Sequence, residues 1–363
     1  MSAHGLEAFG FLPAMRAAAD ARGLEGEIPA RVTAVHKERY ALYCDRGECY
    51  GRLKSAVYYN GAAEPFPTTG DFVLVQYNEL GDSVITQTLP RRSYFARKNP
   101  TLGQGEQAVA ANFDSVFIMQ SLNLDFNPRR LERYLTLAWQ SGAVPVVVLT
   151  KADLVENYDE QLTRAMQVAA GVDVYAVSAK TGFGFDVLGN YLAPGKTIVL
   201  LGSSGVGKSS FVNALAGEEL MAVNEIREDD SKGRHTTTHR QLIRLISGLM
   251  IIDTPGMREL GMLDASAGLS ESFSDVEQYF PLCRFSDCRH LSEPGCAVQA
   301  AILSGELPRE RYESYRKLQR ESQYAGDQAK YLKMKQQRYT EIAKFSKAIQ
   351  KSGEKHGSFQ SDD

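Results

Sequence analysis

No apolar run in this chain is long enough to cross a bilayer: the longest, Ala143 to Leu149, falls far short of the roughly 20 residues a spanning helix needs. Met1 to Arg22 shows no basic start followed by an apolar core, so no signal peptide is read there. A cytoplasmic protein without a membrane partner is the expectation. Excess positive charge is also missing. The net charge is -3, which confines any nucleic-acid contact to local patches, and neither a DNA partner nor an oligomer is expected. Two patches stand out: Lys330, Lys333, Lys335, Arg338, Lys344, Lys347 and Lys351 near the C-terminus, and Arg91, Arg92, Arg97 and Lys98 earlier. Cysteine is scarce and odd in number, with Cys44, Cys49, Cys283, Cys288 and Cys296 only. Without a secretion signal, that count argues against a disulfide framework and for free thiols or metal ligands.

What is present falls into segments of different texture. A leader, residues 1–26, carries a helical stretch from Leu12 to Arg22. Short β-rich runs then follow one another at Ile28 to Val35, Tyr40 to Cys44, Cys49 to Leu53, Phe72 to Val75 and from Ser83, which predicts a small barrel of the OB type over 27–97, a frequent binder of oligonucleotides. Cys44 and Cys49 flank the turn of one hairpin and are expected to face each other as free thiols. After Asn99-Pro100, strands alternate with helices: Ser115 to Gln120, Val144 to Leu149, Val172 to Val177 and Thr197 to Leu201 read as buried strands, with an amphipathic helix over Pro128 to Gln140. That alternation predicts a parallel sheet with helices on both faces over 98–264, completed by Gln241 to Ile246 and Leu249 to Ile252. A cysteine-bearing α-helical module over 265–325 and a basic helical tail with a polar, disordered end over 326–363 complete a multidomain α/β chain.

The chemistry concentrates in the middle of the chain. Gly202-Ser203-Ser204-Gly205-Val206-Gly207-Lys208-Ser209-Ser210 contains G-x-x-x-x-G-K-[ST] between a strand and a helix. Such a loop turns backbone N–H groups around phosphates, with Lys208 on the β- and γ-phosphates and Ser209 on Mg²⁺. Asp253-Thr254-Pro255-Gly256 ends a later strand as D-x-x-G, where Asp253 would hold Mg²⁺ through water and the Gly256 N–H would sense the γ-phosphate. Between them, Gly233 to His239 lies where a first switch loop belongs, and Thr237, with Thr236 beside it, is the candidate to complete the Mg²⁺ shell.

Base choice rests on Thr150-Lys151-Ala152-Asp153 and on Ser178-Ala179-Lys180, each after a strand. Asp153 can accept hydrogen bonds from guanine N1 and N2, which adenine cannot supply, while Lys151 lays its stem over the ring. A polar edge matched in this way discriminates by roughly 10⁴-fold or more, so GTP and GDP are the expected ligands. Thr150 stands where Asn is usual. Met257 follows D-x-x-G in place of the glutamine that positions water, and methionine can neither orient nor deprotonate water. Turnover by the lone protein is therefore expected to be slow. His235 and His239 are the nearest polar candidates, His235 first, with a structural or solvent-facing role as the alternative. The base motif also precedes the phosphate loop, the reverse of the usual order, so the domain is circularly permuted.

Cys283, Cys288, His290 and Cys296 place three thiolates and an imidazole in one short segment, the ligand set of a closed, structural zinc site.

The motif order, the barrel and the Cys3His segment together resemble the family of circularly permuted GTPases called ribosome small subunit-dependent GTPase A. The resemblance covers about Glu27 to Glu321 and is carried further by Leu89-Pro90-Arg91-Arg92-Ser93, Ala111-Asn112-Phe113-Asp114, Gly233-x-His235-Thr236-Thr237 and Glu293-Pro294-Gly295-Cys296. It implies a late maturation factor for the 30S subunit, stimulated by that subunit, whose barrel and zinc module contact 16S rRNA. A nucleotide-gated RNA- or protein-binding module, with incidental hydrolysis, is the alternative; a GTPase regulating a protein partner is a third.

Overall fold

In the computed structural model, residues 5–37, 39–58, 65–98, 106–123, 126–221, 241–253 and 265–325 are described. The β-rich segment closes into a barrel. Strands β1 (Glu27–Val35), β2 (Tyr40–Cys44), β3 (Gly47–Leu53), β4 (Phe72–Gln76) and β5 (Ser83–Thr88) run in the order β1-β2-β3-β5-β4 and return to β1. All neighbours are antiparallel except β3 and β5, the pairing of an OB barrel. Alternate residues Ala30, Val32, Leu42, Val73, Val75 and Ile85 fill its interior.

The leader is not a loose preface. Helix α1 (Pro13–Arg22) and the turn before it bury Leu6, Phe9, Phe11, Met15 and Ala19 in the same cluster as Phe72 and Leu74 of β4. Phe9 stacks on Tyr43 of β2 with ring centroids 3.8 Å apart. A short helix, α2 (Ser55–Tyr58), follows β3.

A hairpin of β6 (Tyr94–Lys98) and β7 (Glu106–Ala111) follows the barrel. The sequence reading missed it, because Asn99-Pro100 between its strands reads as a break.

The sheet beyond it has the order β10-β9-β8-β11-β13-β12, from β8 (Ser115–Ser121), β9 (Val144–Thr150), β10 (Asp173–Ala176), β11 (Thr197–Gly202), β12 (Gln241–Arg244) and β13 (Met250–Asp253). All are parallel except β12. Every residue of β8 is buried, as a strand covered on both faces must be. Val116 and Ile118 face α3 (Pro128–Gln140) and α4 (Asp159–Val168), whereas Phe117 and Met119 face α5 (Lys208–Ala216). Helix α3 begins where Asn127 accepts from Arg130 N and Pro128 takes the first turn, a cap worth about 1 kcal/mol. Strand β12 ends before its apolar run does, because Leu245 N donates to Leu249 O and Gly248 N to Leu245 O, closing the turn early, and β13 starts one residue late, at Met250.

Two buried polar clusters fasten the other modules to this sheet. Arg31 of β1 is 1% exposed. Its guanidinium donates to Phe9 O in the leader, Gly70 O in the barrel, and Asn112 O (3.0 Å) and Thr197 Oγ1 (3.0 Å) beside the sheet. Burial pulls its pKa down to about 9, against the opposing charge of Asp114. On the other side, α6 (Ser266–Ser272) packs on α3 so closely that a Cβ on Gly268 would lie 2.2 Å from Thr136 O. Beyond it come α7 (Ser274–Glu277), α8 (Ala297–Ser304) and a helix, α9, over 309–325. Arg311 of α9 donates to Glu132 of α3 at 2.8 Å and to Asp275 at 2.9 Å, and lies 4.1 Å from the centre of the Phe273 ring. Burial opposes its charge, but the two carboxylates outweigh it and hold the pKa above the ordinary value.

Candidate functional site

The sheet brings the carboxyl ends of β9, β11 and β13 to one edge, where ligands of open α/β sheets bind. A cavity of about 240 Å³ there is lined by Thr150, Lys151, Asp153, Ala179, Lys180, Gly207 and Ser210 among others. Residues from both sequence motifs thus share one cavity despite their inverted order. Gly202 leaves β11 with no room for a side chain, since a Cβ would come within 2.7 Å of Met119 O on β8. The loop crest, Ser204 and Gly205, is exposed, Gly207 turns at φ 105°, and Ser209 sits in the first turn of α5. Lys208 Nζ donates to Gly202 O (2.8 Å) and Ser203 O (2.6 Å), within its own loop.

Thr150 has a task the sequence did not disclose. Its hydroxyl, 4% exposed with the rest of the residue, donates to Val206 O at 2.6 Å and lies 3.3 Å from Gln120 O. The base motif is therefore tied to the backbone of the phosphate loop by this bond. Lys151 takes a left-handed backbone, φ 62°, and Ala152 N donates to Val177 O. Ser178, fully buried, donates to Asp153 Oδ1 at 2.7 Å and accepts from Thr181 N, so the carboxylate is held in place from behind. Asp253 ends β13 at the same edge. Thr237, His235 and Gly256, with Thr236, His239 and Met257, lie outside the described residues.

A larger cavity, about 320 Å³, opens at the opposite, amino end of the strands beside Arg92, Asp114, Ser115 and Lys196. It holds none of the nucleotide-motif residues, and Asp114 there is already engaged by Arg92 (3.4 Å), Lys196 (3.6 Å) and Thr197 N (2.8 Å). Arg91, read as part of a basic patch, is likewise spent internally. Arg91 pairs with buried Asp71 at 2.7 Å, and although burial opposes its charge, the bonds to Asp71 raise its pKa.

Cys283, Cys288, His290 and Cys296 converge with their ligand atoms all within 4.8 Å of one another. Cys283 Sγ and Cys296 Sγ stand 3.4 and 3.6 Å from His290 Nδ1. Zinc–sulfur and zinc–nitrogen bond lengths give a tetrahedral S···N edge of about 3.5 Å, so the cluster fits zinc, with Nδ1 as the ligand atom. His290 is held by Gln299 and Tyr312, which donate to its carbonyl, and by Phe280 stacked at 4.4 Å. Burial lowers its pKa, favouring the neutral ring a metal needs. Glu293 accepts from Arg289, Leu291 and Ser292 N, and these backbone bonds lower its pKa while they shape the loop.

Comparison with known proteins resolves the motif order. The model of the RsgA GTPase family matches residues 88–263. A Small ribosomal subunit biogenesis GTPase RsgA 1 from Listeria monocytogenes is 50% identical over 294 residues, 81% of this chain and 83% of that protein. The chain belongs to the RsgA GTPase family. A Methanosarcina acetivorans RsgA is 43% identical over 76% of each chain. The crystal structure of YjeQ from Thermotoga maritima aligns with a TM-score of 0.60 at 27% identity, over 82% of this chain and 98% of that one. YloQ, described as a circularly permuted GTPase, aligns at 0.59 and 24% identity over 83% and 98%, a likeness of fold. A second model, that of an ABC transporter, matches 186–347; that stretch holds the phosphate loop but not Asp153. The protein is a P-loop GTPase whose base-reading half precedes its phosphate-binding half.

Proposed function

We propose that this protein binds GTP with Mg²⁺ at the cavity between β9 and β11, hydrolyses it slowly alone and faster on the 30S ribosomal subunit, and acts late in that subunit's maturation. The observation that carries the reading is the joining of Asp153 and the phosphate loop in one cavity through the Thr150–Val206 tether. The names of its RsgA relatives supply the biological setting.

In this reading Asp153 accepts from guanine N1 and N2, Lys151 covers the ring, and Ser178 fixes the carboxylate, with Ala179 and Lys180 completing the base pocket. Lys208, whose Nζ donates to Gly202 O and Ser203 O, reaches the β- and γ-phosphates. The N–H groups from Gly202 to Ser210 and the α5 N-terminus receive the phosphate charge. Ser209, Thr237 and Asp253 would hold Mg²⁺, which would supply charge neutralisation for the transferred phosphoryl group. Gly256 senses the γ-phosphate. Met257 cannot position water, so the missing polar group comes from His235 or from the ribosomal partner.

Zinc belongs to the Cys3His cluster as a structural ion. The barrel, over 27–97, and the zinc module, over 265–325, offer surfaces to 16S rRNA, and a cytoplasmic monomer suffices for all of this.

The test is the GTPase rate at fixed salt with 30S, 50S and 70S particles. A large rise with 30S alone is expected, and equal rates with and without it would overturn the reading. Met257 also favours a second possibility, a nucleotide gate in which hydrolysis is incidental; single-turnover rates on the complex separate the two.

A further inference from the structure

The β2–β3 hairpin carries chemistry that the GTPase does not use. Its turn is Asp45-Arg46, with Cys44 paired to Gly47 and Leu42 to Cys49. Residues on one strand at alternate positions share a face, so Cys44 and Cys49 project to the same side, offset by one cross-strand step. The two thiols interact directly. Cys44 is fully buried against the barrel core, whereas Cys49 is only half-buried and so open to a small reagent. Among the described residues neither belongs to a group of three or more metal donors; the only such group lies in the other module.

We propose that Cys44 and Cys49 form an oxidisable dithiol site, closed to a disulfide by two-electron oxidants of the peroxide class. One thiolate attacks a peroxide oxygen and the O–O bond breaks. The sulfur becomes a sulfenic acid, and the released hydroxide takes the thiol proton to form water. The second thiol then attacks that sulfur, the S–O bond breaks, and a second water leaves. Two thiols and one hydrogen peroxide thus give one disulfide and two waters. The shared hydrogen bond sets the roles: it pulls the Cys44 thiol down to about 7 and pushes the Cys49 thiol up, so Cys44 supplies the thiolate and peroxide must reach it past the half-buried Cys49.

Closure would not leave the barrel surface unchanged. Diagonal cross-strand positions lie about 7–8 Å apart between Cα atoms, whereas disulfides rarely exceed about 6.8 Å. The hairpin must therefore tighten. Tyr50 follows Cys49 on the same strand, with the Arg39 guanidinium 3.9 Å from its ring centre and His36 beside it. Arg46 in the turn lies over Tyr77 at 4.8 Å. Oxidation would displace these cation–aromatic pairs, and any consequence for RNA affinity rests on the barrel being an RNA-binding surface.

Trypsin cuts after Arg46, which separates the two cysteines into Tyr40–Arg46 and Gly47–Arg52. Full-length zinc-loaded protein is treated with hydrogen peroxide, blocked with iodoacetamide, digested and weighed. The expected product is the two peptides joined, lighter by two hydrogens than their sum, and separated by dithiothreitol. Recovery of both peptides singly and alkylated would overturn the proposal, as would a link from either cysteine to Cys283, Cys288 or Cys296. In Cys49→Ser, Cys44 should stop at a sulfenic acid trapped by dimedone; should that variant not fold, the wild-type mass already decides. Oxidised and reduced protein should differ at least threefold in affinity for 30S particles, reversibly. Equal affinities would overturn the coupling to the surface while the mass result still judges the site.

Discussion

Replacing Thr150 by valine tests whether the two halves of the permuted site are assembled by one hydroxyl. Valine keeps the shape and removes the donor, so Val206 O loses a 2.6 Å bond at a position that is 4% exposed. A buried acceptor left without its partner costs about 1–3 kcal/mol. The bond joins two distant parts of the folded chain, so the cost divides between the stability of the fold and the geometry of the binding site. If it falls wholly on binding, GTP and GDP affinities drop together by roughly 5- to 150-fold, since each 1.4 kcal/mol is a factor of ten. If it falls on the fold, the melting temperature drops by a few degrees. Titration with a fluorescent GTP analogue and a thermal melt measure the two shares. Discrimination against ATP should persist, because Asp153 and Ser178 are untouched. Thr150→Ser should behave as wild type, and Thr150→Asn should bind well because its amide can donate to the same carbonyl. Unchanged affinity with an unchanged melt in Thr150→Val would refute the tether. Lost base discrimination at unchanged affinity would show instead that Thr150 reads the base.

Other changes test the attachments. Arg31→Ala should destabilise by at least about 1–3 kcal/mol in urea melts, because the buried acceptors that Arg31 joins lose their donor. With Arg31→Met as the reference, the sign in alkali is definite. The folded pKa, about 9, lies below the ordinary 12.5, so between these values the folded state binds fewer protons than the unfolded one. Wild type should therefore gain stability relative to Arg31→Met as pH rises from 8 to 10.5. Gly268→Val, whose Cβ would meet Thr136 O at 2.2 Å, should undock α6 from α3, seen as rapid proteolysis of the C-terminal module with nucleotide affinity kept. Cys288→Ala should abolish stoichiometric zinc and unfold that module alone; native protein without one zinc per chain by mass spectrometry would reject the metal site. A Gly-Ser insertion between Met257 and Gly268 should leave GTP affinity intact and reduce the effect of nucleotide on 30S binding; an unchanged effect would reject that link.

What the sequence disclosed was local. The phosphate loop and the Cys3His segment are each contiguous, and each needs its residue types at fixed spacing, so the pattern is visible without the fold. Barrel strands were legible for the same reason, from alternation and turn residues. Contacts that hold the parts together were not. Arg31 reaches Met250 Sδ, 219 residues away, Arg311 reaches Glu132 across 179, and Thr150 reaches Val206 across 56. A single arginine in a strand or glutamate in a helix carries no mark of a partner so remote. Arg91 shows the opposite error: its charge was visible and read as a surface patch, whereas its bidentate bond to buried Asp71 was not.

The permuted order gains its meaning from where the switch sequences lead. Residues 222–240, which contain Thr237, end at Gln241, and Gln241 pairs with Ala34 of barrel strand β1. Residues 254–264, which contain Gly256, end just before α6, whose Gly268 N donates to Gln140 of α3 at 3.0 Å. On the proposed switch roles, each of these stretches runs directly into the contact that seats one accessory module on the sheet. Arg31 and Arg311 make those contacts stiff, because moving either exposes or strands a buried charge. In the proposed function, a small displacement at the nucleotide would be transmitted as a change of seating rather than absorbed by a flexible joint, as bistable packed interfaces require. In the ordinary motif order more of the sheet would follow D-x-x-G and soften this path. Cutting the chain ahead of β8 and rejoining it ahead of β11 puts the zinc module directly after the second switch, and puts the barrel, spliced on ahead of β8, beside the strand that ends the first.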